Sequence, residues 1–258
     1  MTILPTATGS DSKRPIHGRV PKASDVLTDQ LRSEILTTGL KPGDRFLSET
    51  EIIQTYGYSR GTVRESLRLL ETEGLIVVKR GPRGGTQITR PDITTVSRSM
   101  ALYLTTSEAT LRDFFVFRRL IEPAAAELAA KWATPGQRQE ISALAEETSP
   151  TPGPTSLKRS PDFHAAIGQA TNSRVLTVVL ESMHQVLEWH TPTERLSSTD
   201  IAATVAAHGR IAAAIRDGDG KTAAQAMRVH VEEYERVLEN QERLDQPIMH
   251  RSQWNSGL

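Results

Sequence analysis

The stretch that decides the fold is residues 44–90, which read DRFLSETEIIQTYGYSRGTVRESLRLLETEGLIVVKRGPRGGTQITR. Ser48 can cap a first short helix, and Glu51 stands three residues later, where a capping box places it. Gly57 can end this helix in the left-handed conformation that costs glycine little. Two short helices, a tight turn and a Gly-rich hairpin in this order predict a winged helix-turn-helix.

The second helix of this stretch carries a packing face and a basic face. Ser59 is its predicted cap, and the packing face comprises Val63, Leu67 and Leu70. A separate stripe at four-residue spacing is basic and comprises Arg60, Arg64 and Arg68. Gly61 and Thr62 have small side chains, so the first turn of this helix is narrow. The helix could therefore enter a major groove, where Arg side chains form hydrogen bonds with the edges of guanine bases.

The Gly-rich turn after the second helix predicts a basic wing. Residues 75–78 favour a strand, Gln87 and Ile88 begin a second one, and the turn at 79–85 holds three positive charges. Such a wing suits a phosphate backbone or a minor groove. An Arg stripe alone is usually a solvated face, and the turn lacks the Gly-Lys-Ser/Thr ending of a phosphate-binding loop. The ordered combination is therefore what indicates DNA binding.

This half of the sequence resembles the GntR family of bacterial transcription regulators. The resemblance rests on LKPGDRFLSE at residues 40–49 and on YSRGTVRESLRLLETEGLI at residues 58–76. It implies DNA contacts on the second helix and at the wing tip from Arg60, Gly61, Thr62, Arg64, Arg80 and Gly81. Thr50 stands where the family often has a basic residue, and Gly61 where it often has Thr or Pro, so the base preference is left open.

Composition and charge distribution limit the classes of protein to which this chain can belong. With 258 residues the chain is long enough for two domains, and the absence of Cys excludes a disulfide scaffold or a thiolate metal site. No apolar leader and no run of about eighteen apolar residues occurs, so we expect a cytoplasmic protein. Net charge is zero, but residues 1–90 hold 14 Lys and Arg against 10 Asp and Glu, and the remainder holds 17 against 21. The basic half is the half with the helix-turn-helix, as expected for a nucleic-acid module joined to another domain.

Helical spacing continues outside the deciding stretch. Residues 1–22 lack periodicity and predict a flexible basic arm. A helix from Ser24 to about Thr38 should pack behind the recognition helix, which is the second helix of the deciding stretch. Together these elements predict a domain spanning 23–90. Beyond Arg90 the strand-like residues disappear. The predicted fold class is mostly α, with an all-α bundle whose helices cover 93–104, 110–133, 135–147, 161–171, 174–190, 198–217 and 220–244.

The second half resembles the all-helical FCD effector domain of the FadR subfamily. The resemblance rests on FRRLIEP at residues 117–123, on Asp162-Phe-His followed by Asn172, and on two later histidines, His208 and His230. It implies that residues 91–246 bind an effector and form the dimer, with 247–258 as a tail.

Three histidines on three predicted helices are candidate ligands for a divalent ion of the zinc or nickel class: His164, His208 and His230. Spacing alone also allows ordinary packing or surface histidines, and the resemblance is what implies a metal. The family's Asp ligand, four residues before the first histidine, is replaced here by Ser160, and Asp162 points elsewhere on a regular helix. The ion would then be held by three histidines with water and the effector, or the pocket would work without metal. His184 and His190 do not match the family pattern and are interpreted as surface or packing residues.

Arg118 is the candidate effector-binding residue. It lies on an otherwise apolar helix face, where a guanidinium needs an anion. That anion is either Glu122, one helical turn away, or the carboxylate of an effector. The two alternatives are compatible, because a ligand could take over the pairing.

Together these features predict a homodimeric, ligand-responsive transcription regulator without enzymatic activity. It would be a repressor that leaves or refits a palindromic operator when a small organic acid binds the bundle. The alternative is a metal-dependent hydrolase built on the histidines with a DNA-binding head. The chain lacks H-E-x-x-H, a His-Asp doublet, G-x-S-x-G and a Rossmann fingerprint. Zero net charge argues against a third class, a non-specific nucleoid or RNA-binding protein.

Overall fold

A computed structural model describes residues 21–79, 85–147, 160–190 and 197–248. The chain divides into two compact units, and the division falls between Pro91 and Asp92. The described residues form ten helices and two strands.

The first unit is a winged helix-turn-helix, as the sequence predicts. Its elements in chain order are α1 (Ala23–Thr37), α2 (Glu49–Tyr56), α3 (Arg60–Thr72), β1 (Ile76–Lys79) and β2 (Gly85–Ile88). The strands are antiparallel, with Ile76 opposite Ile88. The wing tip at 80–84, with the predicted contacts Arg80 and Gly81, lies outside the described residues.

Local sequence signals fix the ends of α2 and α3. The Glu51 backbone N–H donates to the Ser48 hydroxyl at 3.3 Å, and the Ser48 N–H donates to the Glu51 carboxylate at 2.7 Å, which is the predicted capping box. Gly57 has φ +71° at the end of α2. The Thr62 N–H donates to the Ser59 hydroxyl at 3.2 Å, which confirms the predicted cap of α3.

The core of the first unit forms where α1 packs across α3. The predicted stripe on α3 is buried, and so are its partners on the other elements; together they are Leu27, Leu31, Ile35, Phe46, Ile52, Val63, Leu67, Leu70, Ile76 and Ile88. Arg32 on α1 donates to both oxygens of Glu73 beyond the end of α3, at 2.8 and 2.6 Å. One face of α3 is therefore fixed against the core and the opposite, basic face is left exposed.

The second unit is the predicted all-helical bundle. Its helices are α4 (Ile93–Thr106), α5 (Leu111–Trp132), α6 (Pro135–Glu147), α7 (Ser160–Ala170), α8 (Arg174–His190), α9 (Ser198–Asp217) and α10 (Gly220–Asn240). The central helix α5 packs against α7, α9 and α10. The side chains it buries in the core include Phe114, Phe115, Ala125, Ala126, Ala129 and Ala130. Among the described helices, none is both long and apolar enough to cross a membrane.

The last helix is shorter than the sequence predicts. It ends at Asn240 instead of 244, because the chain turns at Glu242, which has φ +54°, and runs back along the start of α5. There the backbone N–H of Arg112 donates to the carbonyl of Leu244 at 2.8 Å. Leu244 and Ile248 are buried in the core of the bundle. The free energy gained by burying these two side chains therefore exceeds the free energy that a longer helix would contribute.

Arg138 on α6 ties together the ends of two other helices. Its guanidinium donates to the carbonyls of Ala130 at 2.6 Å and Ala133 at 3.2 Å at the end of α5. It also donates to the carbonyls of Ile215 and Arg216 in the last turn of α9. Helix ends leave carbonyls without intrahelical donors and carry partial negative charge, so one cation satisfies both ends.

We predict that Arg138→Ala lowers the free energy of unfolding of the second unit by roughly 2 kcal/mol, since several carbonyls lose a charged donor. Urea denaturation followed by circular dichroism measures the change. The control is Arg228→Ala, which removes an exposed Arg of α10 that makes no ion pair within the described part of the chain. Equal stabilities of the two variants would contradict the proposed tie.

Candidate functional site

The exposed face of α3 carries the predicted DNA contacts that the structure describes. Arg60 and Arg64 have side chains that are 72% and 66% exposed. Gly61 is also exposed, and a Cβ added there would meet only the Ser59 hydroxyl at 3.9 Å. The packing of the unit therefore does not require glycine at 61. The Thr62 hydroxyl lies 2.9 Å from that of Ser59, within the helix cap.

A second candidate site lies inside the helical unit and consists of six buried polar side chains, which we call the buried cluster. Helix α5 contributes two of them, and α7, α8, α9 and α10 contribute one each. The members are Arg118, Glu122, His164, His184, His208 and His230. Each is at most 4% exposed, so the cluster is shielded from bulk water.

The Glu122 carboxylate is the centre of the buried cluster. Arg118 donates to it from Nε at 2.5 Å and from Nη2 at 3.2 Å. The Nδ1 atom of His164 lies 3.0 Å from Oε2, and the Nε2 atom of His184 lies 3.2 Å from Oε1. The ion pair with Arg118 that the sequence allowed is therefore present. Burial would raise the pKa of Glu122, but Arg118, His164 and His184 hold it well below its usual range.

The three histidines named by the sequence converge on one point. Ligand atoms of His164, His208 and His230 all lie within 4.8 Å of one another. The Nε2 atoms of His164 and His230 are 3.4 Å apart. Two nitrogens bound at about 2.0–2.1 Å to a tetrahedral ion lie roughly 3.3 Å apart. The separation therefore suits two ligands of one ion.

Two further observations fit a metal ion. Within the part of the chain that the structure describes, neither ring nitrogen of the fully buried His208 has a hydrogen-bond partner. Burial lowers the pKa of His164 to about 4 and holds the pKa values of His208 and His230 well below the usual value. All three rings are therefore neutral, which is the form that binds metal.

Glu122 would orient the first of these ligands. The Nδ1 atom of His164 lies 3.0 Å from the Glu122 carboxylate, while Nε2 on the other side of the ring lies 3.4 Å from Nε2 of His230. Carboxylates behind ligating histidines commonly fix the tautomer in this way. The residues present thus fit an ion held by three histidines. A second group that could hold an ion shares His164 and adds Glu122 and His184, but Arg118 already occupies that carboxylate.

The remaining residues considered as metal ligands or packing histidines occupy several different positions. Ser160 is the first residue of α7, and its side chain lies outside the described residues. Asp162 is exposed, as the spacing predicts. His184, interpreted as a surface or packing residue, is buried in the cluster, and its ring stacks on His164 with centroids 4.6 Å apart. Its position one turn after Leu180 on an apolar helix face could have indicated this. The side chain of His190 is not among those described.

An exposed basic recognition helix in one unit and a helical bundle with a buried polar cluster in the other define the class of two-domain DNA-binding regulators. The family described as bacterial regulatory proteins, gntR family, matches residues 23–88, and the FCD domain matches residues 113–233. The chain belongs to the GntR family, with the FCD-type second domain of the FadR subfamily. It is a DNA-binding transcription regulator, not an enzyme, and the hydrolase alternative is excluded.

Individual relatives support the same assignment. The chain is 27% identical to the HTH-type transcriptional regulator LutR of Bacillus subtilis, over 77% of this chain and 93% of the relative. It is 28% identical to a putative L-lactate dehydrogenase operon regulatory protein of Escherichia coli, over 81% of this chain and 84% of the relative. A solved GntR structure from Streptococcus agalactiae shares the fold, with a TM-score of 0.65 and 24% identity over 83% of this chain and 99% of that one.

We predict that Glu122→Ala lowers the free energy of unfolding by about 3–5 kcal/mol, because it leaves the Arg118 guanidinium buried without its anion. Urea denaturation gives the value. The double variant Arg118→Met, Glu122→Leu removes both charges and should recover most of the loss. If the double variant is as unstable as Glu122→Ala, the unpaired charge is not the cause.

Proposed function

We propose that this regulator is a homodimeric repressor whose operator affinity changes when a small organic acid binds beside a divalent ion in the helical domain. The observation that carries the proposal is the buried cluster: three neutral histidines with converging nitrogens, next to a buried Arg118–Glu122 pair. When bound, an ion held by His164, His208 and His230 supplies Lewis-acid positions for water or an effector oxygen.

The charge of the buried cluster favours an anionic effector. Arg118 and Glu122 cancel each other, and the three histidines are neutral. With Ser160 at the position of the family's Asp ligand, an added divalent ion keeps its full double charge in a buried site. A carboxylate ligand would lower that charge, and Arg118 could bind its second oxygen. A 2-hydroxy or sugar acid is therefore the effector class that we propose.

The coupling to DNA runs through the segment 89–96 in this proposal. It joins the wing to α4, and α4 packs against α8. Because α8 carries His184, which contacts Glu122, a ligand that displaces the Arg118–Glu122 pair can move α8 and then α4. The effector would thereby shift the balance between arrangements of the DNA-binding units that fit the operator and arrangements that do not.

The proposal of a dimer and of repression rests on the operator geometry and on the family. Twofold operators need two recognition helices about one DNA turn apart. Helix α5 exposes Val116 and Leu120 at 43% and 69%, one turn apart on one face, which a second copy could cover. Members of the family that the sequence resembles are mostly repressors released by their effector, so repression is the proposed sign.

We predict that Arg64→Ala reduces affinity for a specific duplex by roughly 10- to 100-fold, since it removes a side chain proposed to read a base. The duplex is obtained by selecting from a random-sequence library with the full chain, and fluorescence anisotropy at fixed salt measures binding. Arg228→Ala, on α10, is the matched control. Equal affinity of Arg64→Ala and wild type would overturn the proposed role of α3.

We predict that zinc raises the melting temperature, and that a fitting carboxylate raises it further when zinc is present, because both bind only the folded state. Scanning calorimetry with zinc, and then with zinc plus lactate, pyruvate or sugar acids, tests this, and titration calorimetry gives the zinc affinity. His208→Ala should lose the zinc response and keep binding to the selected duplex. Asp162→Asn, exposed and two residues from His164, should keep both. An unchanged zinc affinity in His208→Ala would refute the site.

A further inference from the structure

Glu49 connects α2 to the basic face of α3. Its Oε2 atom accepts from Nε of Arg64 at 3.0 Å, and its Oε1 atom lies 3.4 Å from Nε of Arg60. Glu49 is the first residue of α2, directly after the Ser48 cap, and its side chain is only 30% exposed. The carboxylate is therefore placed by the start of a capped helix, while the two guanidinium groups project into solvent.

Within the residues that the structure describes, the terminal NH2 groups of both arginines have no other partner. A guanidinium has five N–H donors; Glu49 accepts a hydrogen bond from Nε of Arg64 and forms an ion pair at 3.4 Å with Nε of Arg60. The two terminal NH2 groups remain, and they can form the bidentate contact with O6 and N7 of guanine. A long side chain fixed at its Nε loses less rotamer freedom when it contacts a base. Glu49 can therefore set the plane and direction of two base-reading groups at once.

The same carboxylate lowers attraction to any duplex regardless of sequence. Affinity for DNA of unrelated sequence comes almost entirely from positive charge near the phosphates. Glu49 offsets part of the charge of Arg60 and Arg64, and Thr50, its neighbour on α2, is neutral. The nearby Arg45 is occupied by Glu51 at 2.8 Å. The start of α2 therefore favours contacts in which the arginines gain a well-placed base over contacts with phosphates alone.

We propose that Glu49 is a specificity-determining residue of the DNA-binding unit: it holds Arg60 and Arg64 in the orientation that reads bases and disfavours binding to unrelated duplexes. This inference rests on the proposed function, in which these arginines contact the operator. It goes beyond that function in assigning the discrimination between sequences to a carboxylate on the preceding helix.

The test uses the full chain and two duplexes: one selected from a random-sequence library and one of the same composition with its order scrambled. The variants are Glu49→Gln, which removes the charge, and Glu49→Asp, which keeps the charge but shortens the reach to the two Nε atoms. We expect the ratio of the two affinities to fall by roughly 5- to 20-fold in both variants. Glu49→Gln should also bind the scrambled duplex more tightly than wild type.

The matched control is Glu65→Gln, which removes an exposed carboxylate of α3 that contacts no arginine within the described residues. A change of charge alone raises both affinities by a similar factor, so this control should leave the ratio unchanged. Discrimination retained to within twofold in either Glu49 variant would overturn the inference. Arg64→Ala, measured in parallel, separates the two hypotheses: if it also leaves the ratio unchanged, the proposed DNA contacts of α3 fail first, and the role of Glu49 fails with them.

Discussion

The second domain depends on one buried carboxylate that must have its counter-charge. Glu122 lies on the central helix, where Arg118 donates two hydrogen bonds to it and ring nitrogens of His164 and His184 lie 3.0 and 3.2 Å away. Removing any of them leaves a polar group in the core without its partner, which costs more than the interaction itself contributes. The positions of α5, α7 and α8 are therefore mutually constrained. The proposed metal ligands obtain their geometry from this constraint, because the contact between Nδ1 of His164 and Glu122 leaves Nε2 of His164 facing His230.

Much of the fold could be predicted because its signals are local. The capping box at Ser48 and Glu51, the left-handed Gly57 and the stripe through Leu67 depend on neighbours along the chain, and each appears in the structure as expected. The buried cluster was predicted only in part. The three histidines could be named from the family, but the contact between His184 and Glu122 depends on how α8 packs against α7 and α4 in the bundle, and spacing within one helix does not contain that information. The early end of α10 has the same origin, since it follows from contacts with distant residues.

In each of the two domains a carboxylate contacts basic or imidazole side chains of other helices, but the solvent exposure of the two carboxylates differs. In each, one carboxylate holds functional groups from a neighbouring helix: Glu49 holds Arg60 and Arg64, and Glu122 holds His164 and His184. Around Glu122 water is excluded, so the electrostatic interactions are strong and their loss destabilises the fold. Around Glu49 solvent and salt screen the charges, so the contact contributes little to stability. A partly exposed carboxylate can therefore influence the proposed recognition without being needed for folding, whereas the buried one is needed for the fold itself.

The segment that follows α10 has a practical implication for how the protein can be handled. Residues 241–248 leave the helix, lie along the first turn of α5, and place Leu244 and Ile248 in the core. A truncation at Asn240, the natural choice if secondary structure alone set the limits, would remove Leu244 and Ile248 from the core and the backbone hydrogen bonds to Ala109, Leu111 and Arg112. Purification handles and reporter fusions joined close behind Ile248 would for this reason lie next to a segment that the core needs.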